Sequence, residues 1–275
     1  MIKKFNIAPG VPLYGIPLQH GNNPYIILPF KKKVNVTIEH IEKSDKIKVD
    51  INVYTYDKRD DVITEIYKST LKDVLKYLDI TLSIKTRINM NFTYSPLYIY
   101  DSIVPALIKV IFTLADIPLS RRDILTLLRA FNKINTPNEM NGLRNALRVY
   151  SFLRKPLIYR EGEGYILLNS RDPEFIKRVI SCTNVNYVQN CNVKYIENPL
   201  YNWIIHLHGR LTIEAANALR EGDIEKVTIL HRTETLLNLC LLDIENKCVH
   251  RVRPFSKIIP DYNGVALITL RSIEA

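Results

Sequence analysis

Glycine is scarce in this sequence, with nine residues in a chain of 275, and residues 22–141 contain none. At the chain's own glycine frequency, about four would be expected in that span. Glycine lets a backbone approach a phosphate closely, because it carries no side chain. The gap therefore argues against a glycine-rich phosphate loop between Gly21 and Gly142.

Long apolar runs are also missing, since no stretch approaches the roughly 18 residues that a membrane-spanning helix requires. The amino terminus, MIKKFNIAPG, lacks the apolar segment and cleavage site of a secretory signal. The composition, 47% hydrophobic and 24% charged, is that of a folded globular protein. We expect a cytoplasmic protein that does not bind a membrane.

Cysteine is rare, and its spacing contains no C-x-x-C pair, which excludes a zinc knuckle or a redox motif. The sequence predicts reduced, buried thiols at Cys182, Cys191, Cys240 and Cys248. His206 and His208 lie two residues apart in a predicted strand, where alternate side chains share a face and could serve a metal. No third ligand is evident nearby, so a structural or surface role is favoured and we expect no metal.

Positive charge is in excess, with 38 Lys and Arg against 28 Asp and Glu, a net charge of +10. This basic balance permits binding to phosphates, nucleotides or nucleic acid but specifies none of them. The basic clusters are small and separate, and no arginine-rich tail is present. Solvated surface is the favoured interpretation, and nucleic-acid binding stays an alternative.

The first half of the chain combines strands and helices. Polar residues 42–45 predict a turn that joins two alternating segments into an antiparallel hairpin. Apolar spacing of three to four residues predicts helices over Val62–Leu78 and roughly 102–115, and Ser120 is a candidate cap of a third helix. Strands are predicted at YIILPF (25–30), KVNVTIEHI (33–41), KIKVDINVYTY (46–56) and ITLSIKTRINMNFTY (80–94).

The second half of the chain also combines strands and helices. A short helix is predicted after the cap Asp172, and two further helices meet at Gly222, where TIEAANALREG ends and Asp223 begins DIEKVTILHRTETLLNLCLL. Strands are predicted at RVYSFL (148–153), PLIYREG (156–162), GYILLNS (164–170), VKYIE (193–197), NWIIHLH (202–208) and GVALITLRSI (264–273). This order predicts an α+β protein with a boundary near residue 155.

Four stretches in this order resemble motifs of the GHMP kinase superfamily. APGVPLYGIPLQHG (8–21) is similar to its opening Ala-Pro-Gly-Lys-Val-x-Leu-x-Gly-Glu-His, if one residue is deleted after Val11. The motif's lysine falls on Val11 and its Glu-His pair on Ile16-Pro17. The other stretches are ALIKVIFTLADIPLSRRDI (106–124), NGLRNALRVYSF (141–152) and ALREGDIEKV (218–227).

The resemblance implies a two-domain fold. Residues 1–155 would form an N-terminal domain like domain 2 of ribosomal protein S5, and residues 156–275 a C-terminal ferredoxin-like α/β sandwich. The superfamily's glycine-rich phosphate loop would fall on Thr93–Asp101, TYSPLYIYD, which contains no glycine. Bulky side chains there would block the approach of phosphate to the backbone, and Pro96 removes an amide donor.

The resemblance also places Arg144 where the superfamily has its catalytic aspartate. Arginine cannot accept a proton at ordinary pH, but it can clamp a phosphate or carboxylate through two hydrogen bonds. A surface arginine without a role is the alternative. The motif's C-terminal glycine run falls on IIPDYNGVALITL (258–270) and keeps only Gly264. The candidate anion-binding residues are Arg144, Ser95, Tyr98, Ser102, Asn141 and Gly264.

Three altered elements predict a GHMP-kinase-like protein without catalysis, which binds a small anionic ligand or a protein partner and needs no cofactor. The alternative is a divergent kinase that phosphorylates an alcohol with Mg-ATP, using other carboxylates such as Asp101, Glu139 or Asp261. Restoring the aspartate at residue 144 alone should not restore turnover, because the phosphate loop is altered as well.

Overall fold

The computed structural model describes residues 2–16, 23–92, 96–118, 141–191, 193–196, 202–244, 256–261 and 264–271. Within these ranges the chain is a mixed α+β protein, which confirms the predicted class. The helices are α1 (Asp61–Tyr77), α2 (Pro96–Leu114), α3 (Asn141–Leu153), α4 (Pro173–Cys182), α5 (Asn202–Glu221) and α6 (Ile224–Cys240).

The strands form four sheets. Those of the first half are β1 (Lys3–Ile7), β2 (Gly10–Tyr14), β3 (Tyr25–Pro29), β4 (Val34–Lys43), β5 (Lys48–Thr55), β6 (Lys58–Arg59) and β7 (Leu82–Met90). Those of the second half are β8 (Leu157–Arg160), β9 (Gly164–Leu167), β10 (Thr183–Gln189), β11 (Val193–Tyr195), β12 (Leu242–Ile244), β13 (Lys257–Asp261) and β14 (Gly264–Leu270).

The largest sheet has the order β1-β4-β7-β5-β6. β7 lies between β4 and β5, antiparallel to the first and parallel to the second. The predicted hairpin of β4 with β5 is therefore wrong, although residues 42–45 lie where the strands change direction. Alternating polarity shows which face of a strand is buried but not which strand lies beside it. α1 makes the crossover that a parallel pair of strands requires.

The sheet that positions the site has the order β2-β3-β8-β9. Tyr25 of β3 pairs with Tyr159 of β8, and Ile158 of β8 pairs with Ile166 of β9. Strands before and after the predicted boundary at residue 155 thus share one sheet, and a continuous apolar core spans both parts. The division into domains 1–155 and 156–275 stays a prediction. α2 and α3 pack against this sheet, and α5 contacts β3.

Two smaller sheets complete the described fold, β10-β14-β13 and β11-β12. β14 confirms the strand predicted at GVALITL, whereas β10 was not predicted. The sequence of β10, TNVNYVQ, places asparagines at 184 and 186, and only Thr183 of the strand is fully buried. Its apolar alternation is too weak to reveal a strand before its partner β14 is known.

Several predicted helix ends are confirmed. The side chains of Asp172 and Asp223 accept hydrogen bonds from the first turns of α4 and α6. Gly222 has a φ of 81°, the left-handed conformation that ends α5 without a steric penalty. The helix predicted after Ser120 lies outside the described residues. None of the described helices is long and apolar enough to cross a membrane.

Two predicted strands are helical. RVYSFL forms the last turns of α3, and NWIIHLH forms the first turns of α5. His206 is therefore exposed and His208 fully buried, so the expected shared face is wrong. Both stretches are dense in apolar and β-branched residues, which short windows cannot assign to one period. No group of three or more His, Cys, Asp or Glu in the described ranges is arranged to hold a metal ion.

The cysteines in the structure differ from the prediction of four buried, reduced thiols. Cys191 is buried and disulfide-bonded. Cys182 is half-buried and Cys240 is exposed, and both are free thiols. The prediction is therefore wrong for Cys191 and for the burial of Cys240, because sequence spacing does not show which thiols the fold brings together. Cys248 lies outside the described residues.

Candidate functional site

A buried ion-pair cluster joins α2 to α3. Arg144 and Arg148 are four residues apart on α3, so both side chains lie on one helix face. Arg144 Nε donates to Asp101 Oδ2 at 2.6 Å and its Nη2 to Asp101 Oδ1 at 3.4 Å. Arg148 Nε donates to Asp101 Oδ1 at 2.6 Å. All three residues are at most 2% exposed, so the pairs form away from bulk solvent.

One backbone hydrogen bond of α2 is missing beside this cluster. Pro105 lies inside the helix and has no N–H to donate to the carbonyl of Asp101. The next amide, of Ala106, donates to Ser151 Oγ of α3 at 3.0 Å. α2 also begins at Pro96 rather than near residue 102, so most of the predicted phosphate-loop stretch 93–101 is helical. This geometry fixes Asp101 between two helices.

A second carboxylate continues the network toward β8. Arg148 Nη1 donates to Asn145 Oδ1 at 3.2 Å, and Asn145 Nδ2 donates to Glu161 Oε2 at 3.1 Å. The Tyr159 hydroxyl donates to the same carboxylate oxygen at 2.8 Å. Burial, and then the hydrogen bond to Glu161, raise the pKa of Tyr159. The partly exposed Glu161 is thus held by two neutral donors beside a pair of arginines.

Tyr25 closes the cluster from β3. Its ring lies against Gly142 in the first turn of α3, where an added Cβ would be 3.2 Å from Tyr25 Cε2. Its hydroxyl donates to the carbonyl of Ile16 at 3.0 Å. Burial and the nearby Glu161 raise the pKa of Tyr25, so the phenol stays protonated. The amino-terminal end of α3 is therefore packed against a neutral aromatic ring.

Two polar atoms of the predicted site residues are buried without a hydrogen-bond partner in the described part of the chain, Arg144 Nη1 and Ser102 Oγ. Burying an unpaired polar atom in a folded protein typically costs about 1–3 kcal/mol. Each unpaired donor retains its capacity to bind an acceptor. Arg144 and Ser102 are therefore the two predicted site residues that combine burial with an unused hydrogen-bonding atom.

The other predicted site residues are not all brought to the cluster. Ser95 lies outside the described residues, and Tyr98 and Asn141 lie in the first turns of α2 and α3, with side chains that are not described. Gly264 begins β14 in the three-stranded sheet, where a Cβ would overlap the carbonyl oxygen of Val188. The strand pairing alone thus accounts for this glycine.

The carboxylates considered for a divergent kinase lie in different surroundings. Asp101 is fully buried and both of its oxygens accept hydrogen bonds from arginines, so it is not presented to a substrate hydroxyl. Glu139 lies outside the described residues. Asp261 ends β13, and its side chain is not described. Glu161, which no sequence motif marks as a site residue, is the half-exposed carboxylate of the cluster and lies near the end of the predicted strand PLIYREG.

A second buried cluster joins β2 to the C-terminal elements. Glu234 Oε1 of α6 accepts the backbone N–H of Gly15 at 2.6 Å and lies 3.4 Å from Lys257 Nζ. Lys257 Nζ also donates to the carbonyl of Pro12 at 3.3 Å. His208 Nδ1 lies 3.9 Å from the same carboxylate oxygen. The motif strand β2 is thus held to α6 and β13 by charged groups.

The pKa values in this cluster are displaced. Burial lowers the pKa of His231 to about 4, an effect that Glu234 opposes and Lys257 reinforces. Burial raises the pKa of Glu234, but the ammonium of Lys257 and the neighbouring imidazoles outweigh this and hold it at about 2. At neutral pH His231 is therefore neutral and Glu234 ionised. The two nitrogens of His208 and of His231 have no hydrogen-bond partner within the described residues.

Comparison of the sequence with protein-family models and with curated proteins finds no match. The three-dimensional structure does match solved structures. L. major mevalonate kinase in complex with R-mevalonate superposes with a TM-score of 0.64 at 14% identity, covering 98% of this chain and 87% of that chain. Streptococcus pneumoniae phosphomevalonate kinase in complex with phosphomevalonate and AMPPNP gives 0.58 at 12%, covering 99% and 93%.

Mevalonate pyrophosphate decarboxylase from Streptococcus pyogenes gives a TM-score of 0.57 at 8% identity, covering 98% of this chain and 90% of that chain. All three proteins are members of one superfamily. The chain has the GHMP kinase fold. The resemblance stated from four sequence stretches is thereby confirmed at the level of the fold, which the matches show along nearly the whole chain.

Within the GHMP kinase fold, the positions of the opening motif are apolar in this chain. Val11, which takes the place of the motif's lysine, lies in β2 and is fully buried. Ile16, which takes the place of its glutamate, packs against Ile204 of α5 and Leu241. Neither position presents a charged side chain to a ligand. Pro17 lies outside the described residues.

Proposed function

We propose that this chain is a non-catalytic binding protein on the GHMP kinase fold, and that it binds a small anion beside Arg144. The observation that carries this proposal is the Arg144–Asp101 ion pair. The resemblance places Arg144 where the superfamily has its catalytic aspartate, and the buried guanidinium of Arg144 holds the carboxylate of the neighbouring helix while its Nη1 stays unpaired. A guanidinium in this arrangement binds anions but accepts no protons.

The chemistry of the ligand follows from the donors. Arg144 Nη1 and Ser102 Oγ are both able to donate to a carboxylate or phosphate oxygen. One solved neighbour holds R-mevalonate and another holds phosphomevalonate and AMPPNP, which carry carboxylate or phosphate groups. We infer that the ligand here is a small carboxylate or phosphate ester. Binding to nucleic acid through the net charge of +10 stays an untested alternative.

Titration calorimetry with Mg-ATP shows whether the chain is a non-catalytic binding protein or a kinase. The proposal expects no nucleotide affinity tighter than about 100 µM, equivalent to about 5.5 kcal/mol, and no turnover of small alcohols. A panel of phosphate, phosphate esters and carboxylates should raise the thermal midpoint of the wild type. Arg144→Lys is the matched variant, because it keeps the charge and loses the planar fork. An equal response of both proteins to every anion would contradict the assigned site.

A second candidate function, a divergent kinase, is favoured by one observation. Glu161 is a half-exposed carboxylate beside the first turn of α3, oriented by Tyr159 and Asn145. Such a group is a suitable general base for a substrate hydroxyl. This alternative predicts that Mg-ATP binds, and that Glu161→Gln lowers kcat by about 10²-fold or more without weakening nucleotide binding. Absence of nucleotide binding in the wild type excludes it.

A further inference from the structure

A groove of about 600 Å³ lies between the β8–β9 hairpin and the C-terminal half of α5. Its volume is within the range of roughly 300–1,000 Å³ typical of small-molecule sites. We call it the hairpin groove. Its lining includes Ile158 and Arg160 of β8, Ile166 of β9, and Ile213, Asn217 and Arg220 of α5.

The hairpin groove lies on the opposite face of the sheet from the Arg144 cluster. Successive side chains of a strand point to opposite faces. In β8, Ile158 and Arg160 line the groove. Tyr159, and Glu161 just after the strand, instead take part in the hydrogen-bond network with Asn145 of α3. The two sites therefore share a strand but not a surface, and the groove is not part of the site proposed above.

The lining of the hairpin groove is mainly apolar and unusually exposed. Ile166 is 69% exposed and Ile213 is 55% exposed. Ile166 is the cross-strand partner of Ile158, so the two side chains lie side by side on one face of the hairpin. Clustered exposed hydrophobic residues on a folded chain mark a binding surface more often than scattered ones do.

Positive charge lies at the edge of this apolar surface. Arg220 is in the last turn of α5, and its carbonyl accepts the backbone N–H of Arg171 at 2.9 Å, which fixes the end of the helix. The guanidinium of Arg220 makes no ion pair with any described residue. Arg160, by contrast, is paired with Glu163 at 2.6 Å. Arg220, with the amide of Asn217 one turn earlier, is thus the group available to an anion.

We propose that the hairpin groove binds a small amphipathic anion. Its apolar body lies against Ile158, Ile166 and Ile213, and its carboxylate or phosphate lies on Arg220. The concave shape and the volume of about 600 Å³ fit a small molecule, and the single unpaired guanidinium among the described lining residues matches one anionic head. A second copy of this chain, added along the edge strand β9, is the other occupant that the experiment detects.

Anilinonaphthalene sulfonate, which combines aromatic rings with one anionic group, is the probe of this proposal. Its fluorescence should rise on titration into the folded wild type. Arg220→Glu should weaken binding at least about tenfold, because a charge-assisted contact is replaced by repulsion. Arg210→Glu is the matched control: Arg210 lies on the same helix, is exposed and does not line the groove. This control should stay within about twofold of the wild type.

Competition identifies the ligand class. Decanoate and decyl phosphate should displace the probe, decanol should displace it more weakly, and acetate should not. The stronger of the first two competitors shows whether the head is a carboxylate or a phosphate. Ile213→Lys should reduce binding of all three long-chain compounds, whereas Ile229→Lys should change none of them, because Ile229 is exposed on α6 and does not line the groove.

Three outcomes overturn the proposal. The probe shows no binding to the folded chain, or Arg220→Glu and Arg210→Glu affect it equally, or light scattering shows a dimer that Ile166→Lys dissociates and that the long-chain anions leave intact. The last outcome assigns the groove to a second copy. Circular dichroism of each variant checks that the fold is retained.

Discussion

At the scale of single residues, Arg144 and Asp101 depend on each other. Arg144→Asp restores the aspartate of the resembled motif but places it against the buried Asp101. We expect a loss of about 3–5 kcal/mol in the free energy of unfolding, because a buried ion pair is replaced by two like charges. We also expect no ATP turnover. Urea denaturation and a coupled kinase assay measure the two effects.

The control for this prediction is the exchange Asp101→Arg with Arg144→Asp. The carboxylate introduced at position 144 then lies between the guanidinium introduced at position 101 and that of Arg148, so the cluster keeps two cations around one anion. We expect this double variant to be more stable than Arg144→Asp alone. Equal stability of the single variant and the wild type would show that the ion pair is not formed.

Because the imidazole of His231 is buried, we expect the free energy of unfolding to depend on pH. Its pKa falls from 6.5 in the unfolded chain to about 4 in the folded one, so the unfolded state binds more protons between these values. The free energy of unfolding should therefore decrease as the pH falls from about 6.5 to 4, by roughly 3 kcal/mol in total. Glu234, with a pKa lowered from 4.5 to about 2, should continue the loss below pH 4.5.

Thermal unfolding at a series of pH values checks this. His231→Gln removes the titrating group and should flatten the slope between pH 6.5 and 4, and the slope below pH 4.5 should remain. His206→Gln is the control, because His206 is exposed on α5 and should leave the profile unchanged. An unchanged profile in His231→Gln would refute the neutral, buried imidazole.

The residues of the candidate site were only partly predictable. Arg144 was found because a sequence motif surrounds it. Its partner Asp101 lies 43 positions away along the chain, and no local pattern joins them. Glu161 and Tyr159 were predicted only as residues of the strand PLIYREG, because their role arises only when β8 pairs with β3 beside α3. The Glu234–Lys257 contact was missed for the same reason.

At the scale of elements, helices and their caps were predictable where apolar residues recur at a regular spacing. α1 extends over the predicted residues, and its buried face includes Tyr67, Leu71, Val74 and Leu75, although Ile66 is 45% exposed. Strand neighbours were not predictable, because β7 enters between β4 and β5 from a distant part of the chain. Helices α3 and α5 were partly taken for strands, since their ends carry β-branched and aromatic residues in short runs.

Gly264 provides a prediction for an element. A Cβ at this position would overlap the carbonyl oxygen of Val188, in the strand that pairs with β14. We expect Gly264→Ala to lower the free energy of unfolding by about 1–3 kcal/mol, as overpacking does, and to weaken protection of the β10–β14 amides. Hydrogen exchange measures this locally.

Gly142→Ala is the comparison, since its Cβ would meet the ring edge of Tyr25 at 3.2 Å rather than a backbone atom. A side chain yields more easily than a strand, so we expect the smaller loss there, confined to α3 and β3. A larger loss in Gly142→Ala than in Gly264→Ala would contradict this order.

At the scale of the whole molecule, buried charges join the first strands to the last. Lys257 binds both Glu234 and the carbonyl of Pro12, and it is fully buried. Lys257→Met leaves the carboxylate of Glu234 buried without its cation, and we expect a loss of at least about 3 kcal/mol in the free energy of unfolding. Far-ultraviolet and near-ultraviolet circular dichroism should still report one shared transition, because the apolar core is continuous.

Two variants sharpen this prediction. Lys31→Met also removes a lysine that links the two halves, through Ser181 and Asn184, but Lys31 is exposed and should cost less than about 1 kcal/mol. Combining Lys257→Met with Glu234→Gln should recover stability, because no unpaired charge then remains. Failure of this combination to exceed Lys257→Met alone would assign the loss to packing instead of charge.

The Asp101–Arg144–Arg148 cluster also has a consequence for the history of this chain. Replacing Arg144 by a carboxylate through one substitution leaves two opposed anions in the interior. Selection against unstable folds removes such intermediates before any gain in activity is tested. Residues 101 and 144 are therefore expected to change together rather than one at a time.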